Sequence, residues 1–274
     1  MFPLCQNRCG VLYACVALFA FASATRAAEW ENSVSTFIPG PFPEPKPIRL
    51  QYGFGWNGLT AARADLRLAK TPDERFQLEG MARTMGMAKA LWNFEGRHVS
   101  ICDARTLRPI EVRETENVRS KRSDTTLTYT PEGVVSRQEE QKDSVVKSKT
   151  REFKFPNLLS LTSALLYVHS RPLPASAVEH FVVYPSTSAY FCTVTVAGRE
   201  HITVPTGNYE AIRLDVQLNK VGKKRELLPH KKFKKATVWL SDDPNRFVLR
   251  VEAQIFIGTV FAELQSVQFD DAKP

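Results

Sequence analysis

Two adjacent carboxylates with an arginine close by, Asp242, Asp243 and Arg246 in WLSDDPNRFVLRVE (residues 239–252), are the first residues whose types could do chemistry. Paired carboxylates act as general acid and base only if both reach one substrate. Adjacent residues on a strand point to opposite faces. The Pro244 that follows signals a turn, and an Asp before a proline starts one by accepting from nearby backbone amides. The spacing therefore predicts a structural corner between two strands, with Arg246 pairing one carboxylate. At a surface such a pair contributes about 0 to 1 kcal/mol.

Other reactive types are thin and scattered. SVVK (144–147) has the serine-x-x-lysine spacing of penicillin-recognising enzymes, but it lies in the charged run RQEEQKDSVVKSKTRE, without the companion motifs and buried helix that chemistry requires. The five histidines, at 98, 169, 180, 201 and 230, form no i, i+4 pair, and no Cys/His spacing suits zinc. Neither a phosphate-binding glycine loop nor a nucleophile elbow is present. The sequence thus calls for no metal or cofactor and names no catalytic residue. Of five cysteines only Cys102 and Cys192 lie outside the N-terminal segment, which leaves either one bridge between them or two buried thiols.

That N-terminal segment is built for export. MFPLCQNR carries one arginine and no acid, the apolar run Cys9 to Ala24 follows, and TRAA supplies small residues for cleavage. The run is shorter than the roughly 18–20 residues of a membrane span. Residues 1–27 are read as a signal peptide cleaved after Ala27, with Ala24 as the alternative, and a lipid-acylated Cys15 as a weaker reading because Tyr13 is bulky. No transmembrane span is expected in the mature chain, which belongs in the periplasm or outside the cell. The full chain has 37 Lys and Arg against 29 Asp and Glu. Loss of Arg8 and Arg26 leaves about +6, a mild excess that bears on surface partners rather than on fold.

Residues 28–47 include PGPFPEPKP, an extended, semi-stiff arm leading into the first strand. From 48 to 270 a single domain is expected, since period-two alternation dominates. Leu50, Tyr52, Phe54 and Trp56 share one face, Ile212, Leu214, Val216 and Leu218 another, and Phe247, Leu249, Val251, Ala253 and Ile255 a third. Strands with one dry and one wet face are antiparallel by habit. Turn signals such as WNGL, TPDE, TPEG and DDPN separate them. The fold class is mainly β: an antiparallel meander forming a strongly curved sheet or partial barrel, with one or two helices covering the concave side. PNLLSLTSALLYVHS predicts a helix capped by Asn157, with Leu158, Leu161, Leu165 and Val168 at helical spacing. A weaker helix is expected around 85–94.

VWLSDDPNRFVLRVEAQIFIGTVFAEL resembles the C-terminal signature of a bacterial exported family, domain of unknown function 3108: a Trp, then Ser and Asp, then Arg, then a strand ending in Gly and Glu-Leu. VAGREHITVPTGNYEAIRLDV, LQYGFGWNGLTAARADLRL and FPNLLSLTSALLYVHSRPLP resemble its other segments, although the family usually carries Asp where Asn157 stands. The resemblance covers roughly residues 48–267. It implies a mainly-β exported protein and brings no established activity with it.

Two surface features remain. The row Tyr52, Phe54, Trp56 suggests an apolar or amphiphilic ligand, or a partner, held in the hollow of the sheet. The run 219–236 holds eight cations against one Glu (Lys220, Lys223, Lys224, Arg225, Lys231, Lys232, Lys234, Lys235). It is either a solvated hairpin loop or a patch for anionic envelope lipid or glycan. Nucleic acid is not an expected partner of an exported chain; an envelope protein is. Non-enzymatic ligand binding therefore leads. A scaffold or assembly factor with a filled core comes second, and a hydrolase with a site assembled across strands third.

Overall fold

The computed structural model describes residues 29–229, 233–255 and 258–270. The signal segment, Lys231, Lys232 and the side chain of Lys234 lie outside the described residues. Strands β1 (Ile48–Trp56), β2 (Leu59–Thr71) and β3 (Arg75–Thr84) are followed by the short helix α1 (Gly86–Leu91). Next come β4 (Phe94–Asp103), β5 (Pro109–Val118), β6 (Lys121–Thr130), β7 (Gly133–Lys142) and β8 (Val145–Lys154). Each pairs antiparallel with its predecessor, so this half is a meander ending at the β8 edge.

The chain then crosses through helix α2 (Leu161–Ser170) to the opposite edge. From there β9 (Val178–Val183), β10 (Tyr190–Val204), β11 (Gly207–Val221), β13 (Phe233–Ser241), β14 (Val248–Ile255) and β15 (Gly258–Phe269) work back until β15 pairs with β1. The short β12 (Leu227–Pro229) adds to β11. The result is one fifteen-stranded antiparallel sheet.

The alternation read in the sequence explains the curl. Ile212 and Leu214 of β11 and Leu249 of β14 are fully buried, and their neighbours Arg213 and Arg250 face outward into ion pairs. Val112, Leu127 and Val134 from β5, β6 and β7 pack against Val182 and Phe191 from β9 and β10. The two ends of the sheet thus meet through apolar side chains, without a closing ladder, as an open barrel-like roll. Burying side chains of this size is worth about 1.5–3 kcal/mol each.

Helix α2 lies inside the roll. Its N-cap is Ser160, whose Oγ accepts from Ser163 N at 3.0 Å. Asn157 is not the cap: it stands in a left-handed turn (φ 58°), where its Oδ1 accepts from Arg108 Nη2 at 2.8 Å. The helical spacing of Leu158, Leu161, Leu165 and Val168 does not mark a single buried face. Every residue of α2 is buried except Leu161 and Leu165, because the sheet wraps nearly the whole helix and leaves only that stripe outside. Tyr167 is at the centre, packed against Phe37, Phe181 and Glu179. By contrast α1 buries none of its residues. Among the described residues no helix is long and apolar enough to cross a membrane.

The proline-rich arm is packed into the domain rather than free of it. Ser35 exchanges hydrogen bonds with His180 on the β9 edge. Gly40 N donates to Ser170 Oγ at 2.9 Å, and a Cβ at Gly40 would meet Ser170 O at 2.2 Å, so only glycine lets the arm lie this close to α2. The arm caps β9, one of the two sheet edges. The other, β8, carries the exposed Lys147 and Lys149, charges that discourage strand addition.

Candidate functional site

The acidic corner joins β13 to β14 and is held as a turn by one side chain. Asp243 Oδ1 accepts from Asn245 N (2.8 Å), Arg246 N (3.1 Å) and Ser241 Oγ (3.0 Å). Asp242 points elsewhere and takes Arg199 at 2.6 Å. The expected Arg246–carboxylate pair is not formed. Arg246 runs inward and donates to the carbonyls of His169, Arg171 and Pro172 at the end of α2, with its guanidinium carbon 3.5 Å from the ring centroid of Phe42 of the arm. Helix ends leave carbonyls without intrahelical partners, and a cation suits the negative end of the helix dipole. That need outweighs a carboxylate pair in solvent, though burial lowers the Arg246 pKa. His169 Nε2 donates to Asn245 O at 3.1 Å, which ties the same corner to the helix.

The aromatic row does not line a hollow. Tyr52 is buried against Val204, Ala211, Leu249 and Leu264, and its hydroxyl donates to Val248 O at 2.7 Å; desolvation raises its pKa. Register shifts between Gln51 and Tyr52 and between Phe54 and Gly55 then carry β1 out of the core. Phe54 and Trp56 emerge at the hairpin tip, more than a third exposed. Asn57 and Gly58, both with positive φ, close that tip as a tight hairpin turn.

The basic run is divided in use. Arg225 is not a solvated loop cation: its guanidinium stacks over Phe153 and Phe155 and donates to Lys154 O, while its own carbonyl accepts from Trp30 Nε1. Lys235 pairs with Asp215 at 2.6 Å. Lys220, Lys223 and Lys224 are exposed. Of the five cations whose side chains are described, Arg225 and Lys235 are thus engaged within the fold, and Lys220, Lys223 and Lys224 face solvent.

Cys102 and Cys192 are not bridged. Both sit in the cluster around α2, each filling its own slot as a small apolar side chain, and burial pushes both thiols up to about 12. A thiol so desolvated is a poor nucleophile at neutral pH. His98 meets Glu114 at 3.1 Å on the open half of the sheet, and burial beside Glu114 raises the Glu116 pKa. Among the described residues no three His, Cys, Asp or Glu side chains are placed to hold a metal.

Among the described residues, the concavities open to solvent include a larger and a smaller one. The larger, about 630 Å³, is a charged trough on the wet face of β15, β1, β2, β3 and β4, lined by Arg49, Arg67, Arg83 and Arg97 with Asp65, Glu79 and Glu95. The smaller, about 300 Å³, lies between the arm and the β4–β5 and β6–β7 turns, with Phe37, Tyr129 and Leu158 in its wall. Sequence reasoning named neither: the trough comes from wet-face residues of strands far apart in the chain, and period-two patterning assigns those only to solvent.

The family model described as protein of unknown function DUF3108 matches residues 49–265. The chain belongs to the DUF3108 family. No curated protein matches it. Among solved structures it is similar to a β-barrel-like protein of domain of unknown function DUF1849 from Brucella abortus, at 11% identity and a TM-score of 0.58, covering 83% of this chain and 99% of that one. A protein with YmcC-like fold from Bacteroides fragilis, described as exported, matches at 9% identity and TM-score 0.34, over 84% and 99% of the two chains. The Brucella likeness shows a shared fold and nothing about activity.

The signature segment of this DUF3108 chain takes structural posts. Trp239 Nε1 donates to Glu200 at 2.6 Å, Ser241 Oγ accepts from Phe247 N at 2.8 Å, and Leu264 is fully buried. Asp243 and Arg246 complete the corner that locks α2 and the arm in place. The described residues of the segment thus build the fold.

Proposed function

We propose that this DUF3108 protein is an exported envelope scaffold whose rolled sheet is filled by its own side chains and which acts through its surface. One observation carries the reading: α2, with Tyr167 at its centre, occupies the concave side where a ligand would otherwise lie. Carriers of apolar ligands keep a cavity of about 300–1,000 Å³ lined mainly by apolar side chains. The larger concavity here is instead charged and open to water, and the smaller, at the lower end of that range, is an open notch that shares its wall with Asp103, Arg108 and Asn157. Export rests on the layout of residues 1–27, and the unbridged thiols are compatible with it because each is buried away from oxidants.

Native mass spectrometry of protein extracted from its own envelope tests this. The expected species is bare polypeptide beginning at or near Ala28. A tightly held amphiphile in one-to-one ratio would overturn the filled scaffold, and an intact Met1 on soluble cytoplasmic protein would overturn export.

A further inference from the structure

The β1–β8 meander has two rows of turns, and they differ. At one end lie the β2–β3, β4–β5 and β6–β7 turns, polar and tied by pairs such as Arg75–Asp73 and Lys70–Glu74. No large apolar side chain is exposed in these turns. At the other end lie the β1–β2 tip, the α1 segment, and the β5–β6 and β7–β8 turns. Here Leu59 is 72% exposed, Met87 86%, Leu91 76%, Trp92 51% and Val146 59%.

These turns form one continuous rim. Met85 N donates to Ala61 O, joining α1 to the β1–β2 hairpin. Arg119 Nη2 donates to Leu91 O at 3.1 Å and joins α1 to the β5–β6 turn. Lys121 and Lys142 are cross-strand partners, which puts the β7–β8 turn next in line.

Cations are in modest excess on the rim, where the exposed Glu95 also sits beside α1. Lys121 is paired with Glu140 and Arg122 with Asp124, and Asp143 sits in the β7–β8 turn. Lys89, Lys142 and Lys147 take no ion-pair partner among the described residues. Neighbouring strand ends follow one another along this rim, so several tips can contact one surface together. Single bulky side chains, Trp among them, alternating with Lys and Arg suit an interface of acyl chains and anionic headgroups. We infer that this rim docks the protein peripherally on an anionic bilayer surface, with Leu59, Met87, Leu91 and Trp92 entering the headgroup layer and Lys89, Lys142 and Lys147 facing lipid phosphates. The inference is independent of whether the core is filled.

Co-sedimentation of the purified chain with phosphatidylcholine vesicles containing phosphatidylglycerol tests it. Wild type should bind, and binding should weaken as salt rises. Leu59→Ser with Met87→Ser and Leu91→Ser should lose about tenfold or more in partitioning, since each removed apolar contact is a substantial fraction of a decade. Lys89→Gln with Lys142→Gln and Lys147→Gln should lose most of the salt dependence. A second readout needs no multiple variant: vesicles with brominated acyl chains should quench wild-type tryptophan fluorescence, and Trp92→Phe should remove a large part of that quenching. Failure of wild type to bind, or variants binding as well as wild type, would overturn the proposal. So would a change in sedimentation showing that the apolar triple variant abolishes a self-association while vesicle binding persists.

Discussion

Helices α1 and α2 are both apolar segments joining strands of one sheet, yet the fold treats them oppositely. In α2 the sheet wraps the helix until only Leu161 and Leu165 remain outside, Ser160 caps its start, and Arg246 closes its end. In α1 no residue is buried, Met85 at the cap position makes no side-chain bond, and the largest side chains face water. The difference lies in what each connects. The α1 segment joins adjacent strands and can stay on the rim. The α2 segment must travel from one sheet edge to the other, and its path fills the roll. One apolar helix is thus spent on stability and the other is left on display.

The comparison breaks first at Arg246. Arg246→Ala strands the carbonyls of His169, Arg171 and Pro172, each costing about 1–3 kcal/mol if left unsatisfied in the interior. The expected loss is about 3–5 kcal/mol, read as a lowered urea midpoint. Arg246→Lys should recover little, because an ammonium cannot reproduce the planar fork that reaches several acceptors. A loss under about 1 kcal/mol would mean that the end of α2 is satisfied by water and that the corner does not lock it.

A smaller effect sharpens the contrast through pH. Burial lowers the His169 pKa; the Asn245 carbonyl opposes this and Arg246 adds to it. The folded value therefore lies below the unfolded value near 6.5. Between the two the unfolded chain binds more protons, so stability rises with pH. The contribution is present above about pH 6.5 and is lost as the pH falls through the folded value. Wild type should lose more melting temperature from pH 7 to pH 5 than His169→Gln does. Parallel curves would show that His169 titrates alike folded and unfolded. Helix α1 holds no such group.

How much of this was legible in the sequence depends on the distance between partners. The period-two faces of β11 and β14, the Asn57–Gly58 turn and the Asp243 corner are local, and the residues within reach decide them. Arg246 was visible as part of the corner, but its acceptors lie more than seventy positions earlier and no local pattern names them. The row Tyr52, Phe54, Trp56 was seen as one face. The two register shifts that turn it from core to rim depend on how β15 and β2 pair, which alternation does not encode. Strands β7 and β8 read as a charged run because both faces are largely polar, as befits the open end of a roll. Helix α2 is legible from its spacing, but its buried side is not, since a face can be read from spacing only when one side is solvent.

The smallest expected effect is the most direct test of the display half. Met87 and Leu91 are already in water, so Met87→Ser with Leu91→Ser removes almost no buried area. The helix propensity lost is a few tenths of a kcal/mol per site, and α1 stays tethered through Ala61 and Arg119. Thermal and urea melts should therefore agree with wild type to within about 0.5 kcal/mol, the usual range for surface substitutions. A loss above about 1 kcal/mol would show that these side chains pack against something, and α1 would then belong with α2 among the elements that hold the fold together.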